Sequence, residues 1–285
     1  MATTRRARDY TRRIGLVPPL PEVASLVLKM LDDPKSSAPE ITNVITREPA
    51  LSGQILKTIN SAYFGLKQKV TNLNQAVTLM GFRKIRQLVL NVSVFRVLSK
   101  LSRRREAMVK FWRHSAIAAA LCRHLAAKIR TPLPEDQAYV TGLLHDMGKP
   151  LFMKFDGTLY DKVLALAELE QIPFHQAERR LGETTHCALG AWAARKWNLP
   201  DAVINAIREH HSPAALTSDA LTACVHVANY VCWIRGFNCE GTYWTEAFNL
   251  EVWNFLGLAQ DQLEQLTHIA DMEGEIAEII LGMAV

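Results

Sequence analysis

The residues best equipped for chemistry cluster in and around the segment Thr141-Gly-Leu-Leu-His-Asp-Met-Gly-Lys149, in which His145 and Asp146 are adjacent. His114 stands upstream, and His186 and the pair His210-His211 stand downstream. Neutral imidazole is the commonest protein metal ligand, and one carboxylate among several imidazoles suits Fe, Zn, Mn or Ni better than a hard, oxygen-seeking ion such as Ca²⁺. A divalent ion held this way can polarise a phosphate for hydrolysis, or it can brace helices and do no chemistry. One inward-facing histidine is usually a hydrogen-bonded core residue. The metal expectation therefore rests on His114, His145, Asp146, His186, His210 and His211 acting jointly. The other histidines, His124, His175, His226 and His268, lack that setting and are expected at the surface or in structural roles.

The elements that must position these side chains read as helices. Apolar residues recur at helical spacing, and alternating runs bounded by hairpin turns are missing, so the expected fold is all-α. Helices are predicted over Pro21–Leu31, from about Ala38, over Pro49–Ser61, Asn72–Leu79 and Arg83–Leu101, with Gly65 and Gly81 as punctuation. From about Ala107 to Ile129, His114 shares one face with Ala118, Leu121 and Leu125, which turns its imidazole inward. A short helix at Asp136–His145 ends near Gly148, where the chain is expected to turn. His186 heads another buried stripe through Leu189, Gly190, Ala193 and Trp197, and Gly190 permits close backbone approach. The helix Asp201–Glu209 delivers His210-His211 just ahead of Ser212-Pro213, which stops it. Leu221, Cys224, Val225, Ala228 and Cys232 line one face of a further helix whose adjoining face carries His226, Asn229 and Trp233. Two more helices are predicted, Leu250–Leu256 and Gln260–Leu281.

Composition narrows the class. At 285 residues with 49% hydrophobic content, the chain can bury one large core or two ordinary ones. The five cysteines are scattered without a CxxC pair, so reduced thiols and a cytoplasmic location are expected. No run approaches the roughly 20 apolar residues of a membrane-spanning helix. The net charge of +5 raises a nucleic-acid or acidic partner, with Arg83, Lys84, Arg86 and Arg103–Arg105 as candidates. No nucleic-acid module accompanies that charge, which fits a solvated tail, a helix face and a linker better. The expected organisation is a basic tail (1–13), an N-terminal helical subdomain (14–105), a histidine-bearing bundle (106–235) and a helical extension (236–285), with the triple arginine as the main boundary.

The ordered motifs Leu16-Val-Pro-Pro-Leu-Pro-Glu-Val23, Glu48–Lys57, Asn60-Ser-Ala-Tyr-Phe-Gly65 and Ala76–Gly81 resemble the N-terminal half of an HDOD domain. Trp112-Arg-His-Ser115, Gly142–Lys149, Thr185-His186 with Trp197-Asn-Leu-Pro200, and Ile207–His211 resemble its C-terminal half. The resemblance covers roughly residues 14 to 235. It implies an N-terminal helical subdomain packed on an HD-like bundle related to metal-dependent phosphohydrolases and cyclic-di-GMP phosphodiesterases, with the core helices turned mainly to signalling. By that resemblance the metal ligands fall to His114, His145, Asp146, His186, His210 and His211, and Lys149 steadies phosphate charge. Asn229 stands where the family carries a later aspartate.

Three features separate this chain from the hydrolases. Asn229 is a neutral amide in place of an anionic ligand, and Lys110 is a cation where some relatives use a carboxylate. Both reduce negative charge at the site and weaken its hold on a divalent ion. The segment after His210-His211, Ser-Pro-Ala-Ala-Leu, lacks the Gly-Tyr-Pro element of the cyclic-dinucleotide hydrolases. The leading expectation is a signalling or regulatory protein acting through a protein partner, with a structural or vestigial metal site. The alternative is a metal-dependent phosphohydrolase of nucleotides or phosphodiesters.

Overall fold

The computed structural model describes residues 19, 21–61, 66, 68–100, 104–182, 184–239, 244, 247–259 and 261–281. The basic tail, residues 16–18 of the first motif, Ala62–Gly65 of the third and Arg103 lie outside the described residues. The described chain is α-helical, with no strand among the described residues. It divides into two compact units, Leu98–Glu275 and Pro18–Val97 together with the chain from Ile276.

The smaller unit begins with α1 (Glu22–Asp32), α2 (Ala38–Ile45) and α3 (Pro49–Ile59), followed by most of α4 (Leu73–Ser99). Local sequence explains the starts. Ser37 and Glu40 form a reciprocal capping box at α2, with Pro39 in the first turn, and Pro49 occupies the first turn of α3. Asn60 then ties the chain after α3 back on itself, donating to Val70 O at 2.6 Å and accepting from Val70 N at 2.7 Å. Gly81 adopts φ 74°, ψ 159° inside α4, so the helix breaks there as the sequence predicts. The core is aliphatic, built on Ile41, Ile45, Ile55, Ile59 and Ile85, and it includes Ile276 from the chain's end.

The larger unit holds α5 (Arg105–Lys128), α6 (Glu135–Leu144), α7 (Gly148–Phe155), α8 (Gly157–Glu170), α9 (Phe174–Leu181) and α10 (His186–Lys196). It continues with α11 (Asp201–Glu209), α12 (Pro213–Leu216), α13 (Ala220–Ile234), α14 (Leu250–Leu256) and α15 (Gln262–Leu281), the last crossing into the smaller unit at Ile276. Thr185, Asp219 and Asn249 cap α10, α13 and α14 through their side-chain oxygens. α5 and α6 pack closely because α5 is alanine-rich where Gly142 meets it. A Cβ on Gly142 would lie 2.7 Å from Ala118 O. Val252, Trp253, Leu256, Leu266 and Ala270 from α14 and α15 share one core with Leu121, Leu125, Val225 and Val231. Arg104, at the start of α5, pairs both guanidinium nitrogens with Asp161, at 2.5 and 2.7 Å.

Candidate metal centre

Four helices and one turn of the larger unit bring five side chains to one buried point. His114 sits on α5. His145 closes α6, and Asp146 follows in the turn to α7. His186 is the first residue of α10, and His210 closes α11. None of these five side chains is more than 1% exposed.

Each imidazole is anchored by its outer nitrogen. His114 Nδ1 donates to Phe237 O at 2.8 Å, His145 Nδ1 to Gly142 O at 2.7 Å, and His210 Nδ1 to Ile207 O at 2.8 Å. Glu178 on α9 takes both the backbone N–H and the Nδ1 of His186, each at 2.7 Å. A carbonyl can only accept, so each Nδ1 facing one carries the hydrogen, and Nε2 of a neutral ring offers a lone pair inward. Anchoring of the outer nitrogen by carbonyl or carboxylate is how ligand histidines are held.

The inner nitrogens meet in two pairs around one carboxylate. His114 Nε2 lies 3.2 Å from His145 Nε2, and both lie 3.4 Å from Asp146 Oδ2. His186 Nε2 lies 3.4 Å from His210 Nε2, with Asp146 Oδ1 at 3.2 and 3.6 Å respectively. Lone pairs facing each other at these separations repel unless a proton or cation sits between them. Asp146 Oδ1 is buried and has no well-formed hydrogen bond of its own. Four convergent nitrogen donors and an under-satisfied carboxylate oxygen fit a divalent ion of the Fe, Zn, Mn or Ni type.

Without an ion, protons take its place. Burial disfavours charge on His114, but the Asp146 hydrogen bond and the Cys232 sulfur outweigh it and lift the pKa to about 10. At His210 burial is likewise outweighed, by Cys187 and Asp146, and the pKa rises to about 9. Burial wins at His145, whose pKa falls to about 4, so it stays neutral beside His114. Burial raises the Asp146 pKa, yet the charge of Lys149 and the hydrogen bonds from His114 and His145 hold it well below the usual carboxylate range.

The remaining expected residues fall around this point. Lys149 Nζ lies 2.5 Å from Asp146 Oδ2 and 3.3 Å from Cys239 Sγ. His211 is half-buried and stacks face to face on His175, with centroids 4.1 Å apart. Asn229 lines a small cleft with Lys149, His175, His186, His211 and His226. Lys110 leans back along α5 to the exposed Glu106, at 2.8 Å. Gly148 is not a turn residue but the first residue of α7; its missing Cβ makes room for the carbonyl of His186, 1.8 Å from where that carbon would be.

Sequence reasoning missed Glu178, Cys187 and Cys239, and it set aside His175 and His226. His175 and His226 are buried and line the cleft, whereas His268 is exposed as expected. The one available signal was the adjoining face of the predicted helix carrying His226, Asn229 and Trp233, which forms part of the cleft wall.

The fold and this centre define a helical protein closed around a buried His/Asp cluster. The HDOD domain family matches residues 17–213, and the chain belongs to that family. It is 28% identical over 210 residues to an uncharacterised protein of Treponema pallidum, covering 74% of this chain and 40% of that one. The chain thus spans well under half the length of that relative. Among solved structures, a candidate signal transduction protein of Marinobacter aquaeolei superposes with TM-score 0.78 at 22% identity, over 98% of this chain and 66% of that one. A candidate phosphohydrolase of Shewanella amazonensis superposes with TM-score 0.70 at 21% identity, over 96% and 97% of the two chains. These likenesses establish the shared fold. No helix among the described residues is long and apolar enough to cross a membrane.

Proposed function

We propose that the chain is a regulatory signalling protein that acts through its HDOD domain by binding a protein partner, with the histidine centre bracing the larger unit from within. The observation that carries this reading is the state of Asp146, the carboxylate that the inner imidazole nitrogens face among the described residues. Asp146 is fully buried and already neutralised by the Lys149 ammonium at 2.5 Å. A hydrolytic centre needs a metal with an open position and enough anionic ligand to hold it. Here the side facing the cleft offers Asn229, an amide, where the family carries a carboxylate. The five buried free thiols support a cytoplasmic setting.

Metal-dependent phosphohydrolysis of a nucleotide or phosphodiester is the second reading, favoured by the cleft itself. Lys149, His186 and His211 reach its wall, so an ammonium and two imidazoles face any anion that enters. In that reading His114, His145 and Asp146 hold one ion, His186, His210 and His211 hold another, and Lys149 neutralises phosphate charge. Such an ion, when bound, supplies Lewis-acid polarisation of the phosphate. A nucleic-acid partner has less support, since Arg104 of the basic candidates is committed to Asp161. Binding that stays flat between low and high salt removes that partner altogether.

The deciding experiment is elemental analysis of tag-free protein purified without added metal, alongside His145→Ala, with a phosphodiester and nucleotide screen of metal-loaded wild type. Bound metal reduced in the variant, or no metal with the fold intact, is expected together with no turnover. Turnover abolished by His145→Ala would replace the regulatory reading with the hydrolytic one.

A further inference from the structure

Cys187 is the residue that the motif-based assignment leaves without a role. It follows His186 at the start of α10, it is 6% exposed, and its sulfur points at the same inner nitrogens as the anchored imidazoles. Cys187 Sγ lies 3.4 Å from His186 Nε2 and 3.9 Å from His210 Nε2, and those two nitrogens are 3.4 Å apart. Tetrahedral zinc, with Zn–N about 2.0–2.1 Å and Zn–S about 2.3 Å, sets two nitrogens about 3.4 Å apart and a nitrogen and sulfur about 3.6 Å apart. The three measured edges match that triangle to within a few tenths of an ångström. His211 offers a fourth donor, with one ligand atom from each of His186, Cys187, His210 and His211 within 4.8 Å of every other, so its ring closes in on the ion to reach a tetrahedral edge.

We propose that His186, Cys187, His210 and His211 form a closed zinc site of one sulfur and three nitrogens, with Cys187 as the ligand that selects zinc over harder ions. This rests on the regulatory reading above and deepens it. Four protein ligands leave no open position, so the ion is a structural clamp joining the start of α10 to the end of α11. A thiolate favours zinc over Mn or Mg, which prefer oxygen donors. On binding, Cys187 enters as the thiolate and His186 and His210 as neutral imidazoles, so the protons these groups hold in the ion-free centre leave to solvent as the Zn–S and Zn–N bonds form, and no electrons are exchanged. Two of the imidazoles are already oriented for the ion, His186 by Glu178 and His210 by the Ile207 carbonyl. The commonplace alternative is a buried thiol packing against two histidines as a small hydrophobe. That alternative accounts for the contact distances but has no need of a fourth donor beside them.

Cobalt(II) titrated into metal-free full-length protein tests the site without reference to turnover. Wild type is expected to show a near-ultraviolet thiolate-to-cobalt charge-transfer band and the intense visible bands of four-coordinate cobalt, both erased by added zinc. Cys187→Ala should lose the charge-transfer band and bind zinc at least ~10-fold more weakly with unchanged helicity. Cys239→Ala should keep both. Should Cys187→Ala not fold, Cys187→Ser, which preserves side-chain size, takes its place. A cobalt spectrum without the thiolate band, a band that depends on Cys239 and not Cys187, or no uptake of either metal would each overturn the proposal. Each of those results leaves the partner-binding reading standing, since that reading falls only to turnover.

Discussion

The two units of this protein are stabilised by different means. The smaller closes on branched aliphatic side chains, among them Ile41, Ile45, Ile55, Ile59 and Ile85, and its sequence contains neither histidine nor cysteine. The larger carries all nine histidines and all five cysteines, and it buries a polar cluster in which one carboxylate serves four imidazoles and an ammonium. Apolar packing is non-directional and tolerates exchange of shape for shape. A buried polar cluster depends on each partner being present at the right distance. The larger unit should therefore respond sharply to changes of one or a few atoms, and the smaller should absorb them.

The sharpest contrast is expected from one added methyl. In Gly148→Ala the new carbon would lie 1.8 Å from His186 O and 2.8 Å from Gly190 N, both backbone atoms that cannot swing aside. The start of α7 must separate from α10, at a cost above about 3 kcal/mol, beyond the usual range for overpacking. Chemical denaturation should show this loss, and a stability within 1 kcal/mol (~) of wild type would remove the claim that the larger unit is set by close backbone approach. Next comes Glu178→Gln, which keeps the shape but removes the charge behind His186. Loss of such a supporting carboxylate should weaken metal binding about 10- to 100-fold, measured by competition with a chelator.

Proton uptake divides the units again. Burial, chiefly, drives His175 to a pKa of about 2 and His226 to about 4, so both stay neutral in the folded protein. In the unfolded chain they take up protons as pH falls below about 6.5. The unfolded state then binds more protons than the folded one, and stability drops with falling pH by at most about 1.4 kcal/mol per pH unit for each group. For His226 the window runs from about 6.5 to about 4. Replacing His226 with Asn should flatten the slope there in metal-free protein. Protection of backbone amides in the smaller unit, which has no histidine of its own, should stay nearly level over pH 6.5 to 5 (~) once intrinsic exchange is corrected. An equal loss in both units would mean that they unfold together.

Much of this architecture was legible because helix signals are local. Pro39 and Pro49 sit in the first turns of α2 and α3, and Gly81 breaks α4. The inward stripe through His114, Ala118, Leu121 and Leu125 is buried throughout. His114, His145, Asp146, His186 and His210 were legible as a set because each lies at a helix end or on an apolar face. The rest required tertiary proximity that no spacing encodes. Glu178 reaches His186 only because α9 ends just before α10 begins, and Cys239 reaches Lys149 from 90 residues away. His175 and His226 looked unremarkable one at a time, since neither belongs to a local pattern. They line the cleft because α9 and α13 bring them there.

The smallest expected effect has the opposite sign and completes the contrast. Gly53 lies inside α3, in the smaller unit, and a Cβ built there meets nothing within 4 Å among the described residues. Its φ is helical, so alanine adopts the backbone without strain. Glycine in a helix interior costs roughly 0.5–1 kcal/mol relative to alanine, because the unfolded chain loses more freedom on ordering. Gly53→Ala should therefore raise stability by a few tenths to about 1 kcal/mol, with the gain confined to amide protection in the smaller unit. The same exchange at Gly148 destabilises because there the hydrogen replaced faces a carbonyl, while at Gly53 it faces open space. Were Gly53→Ala to destabilise, the space beside α3 would have to be filled by something other than the described residues, and amide protection on that face with and without added partner would be the next measurement.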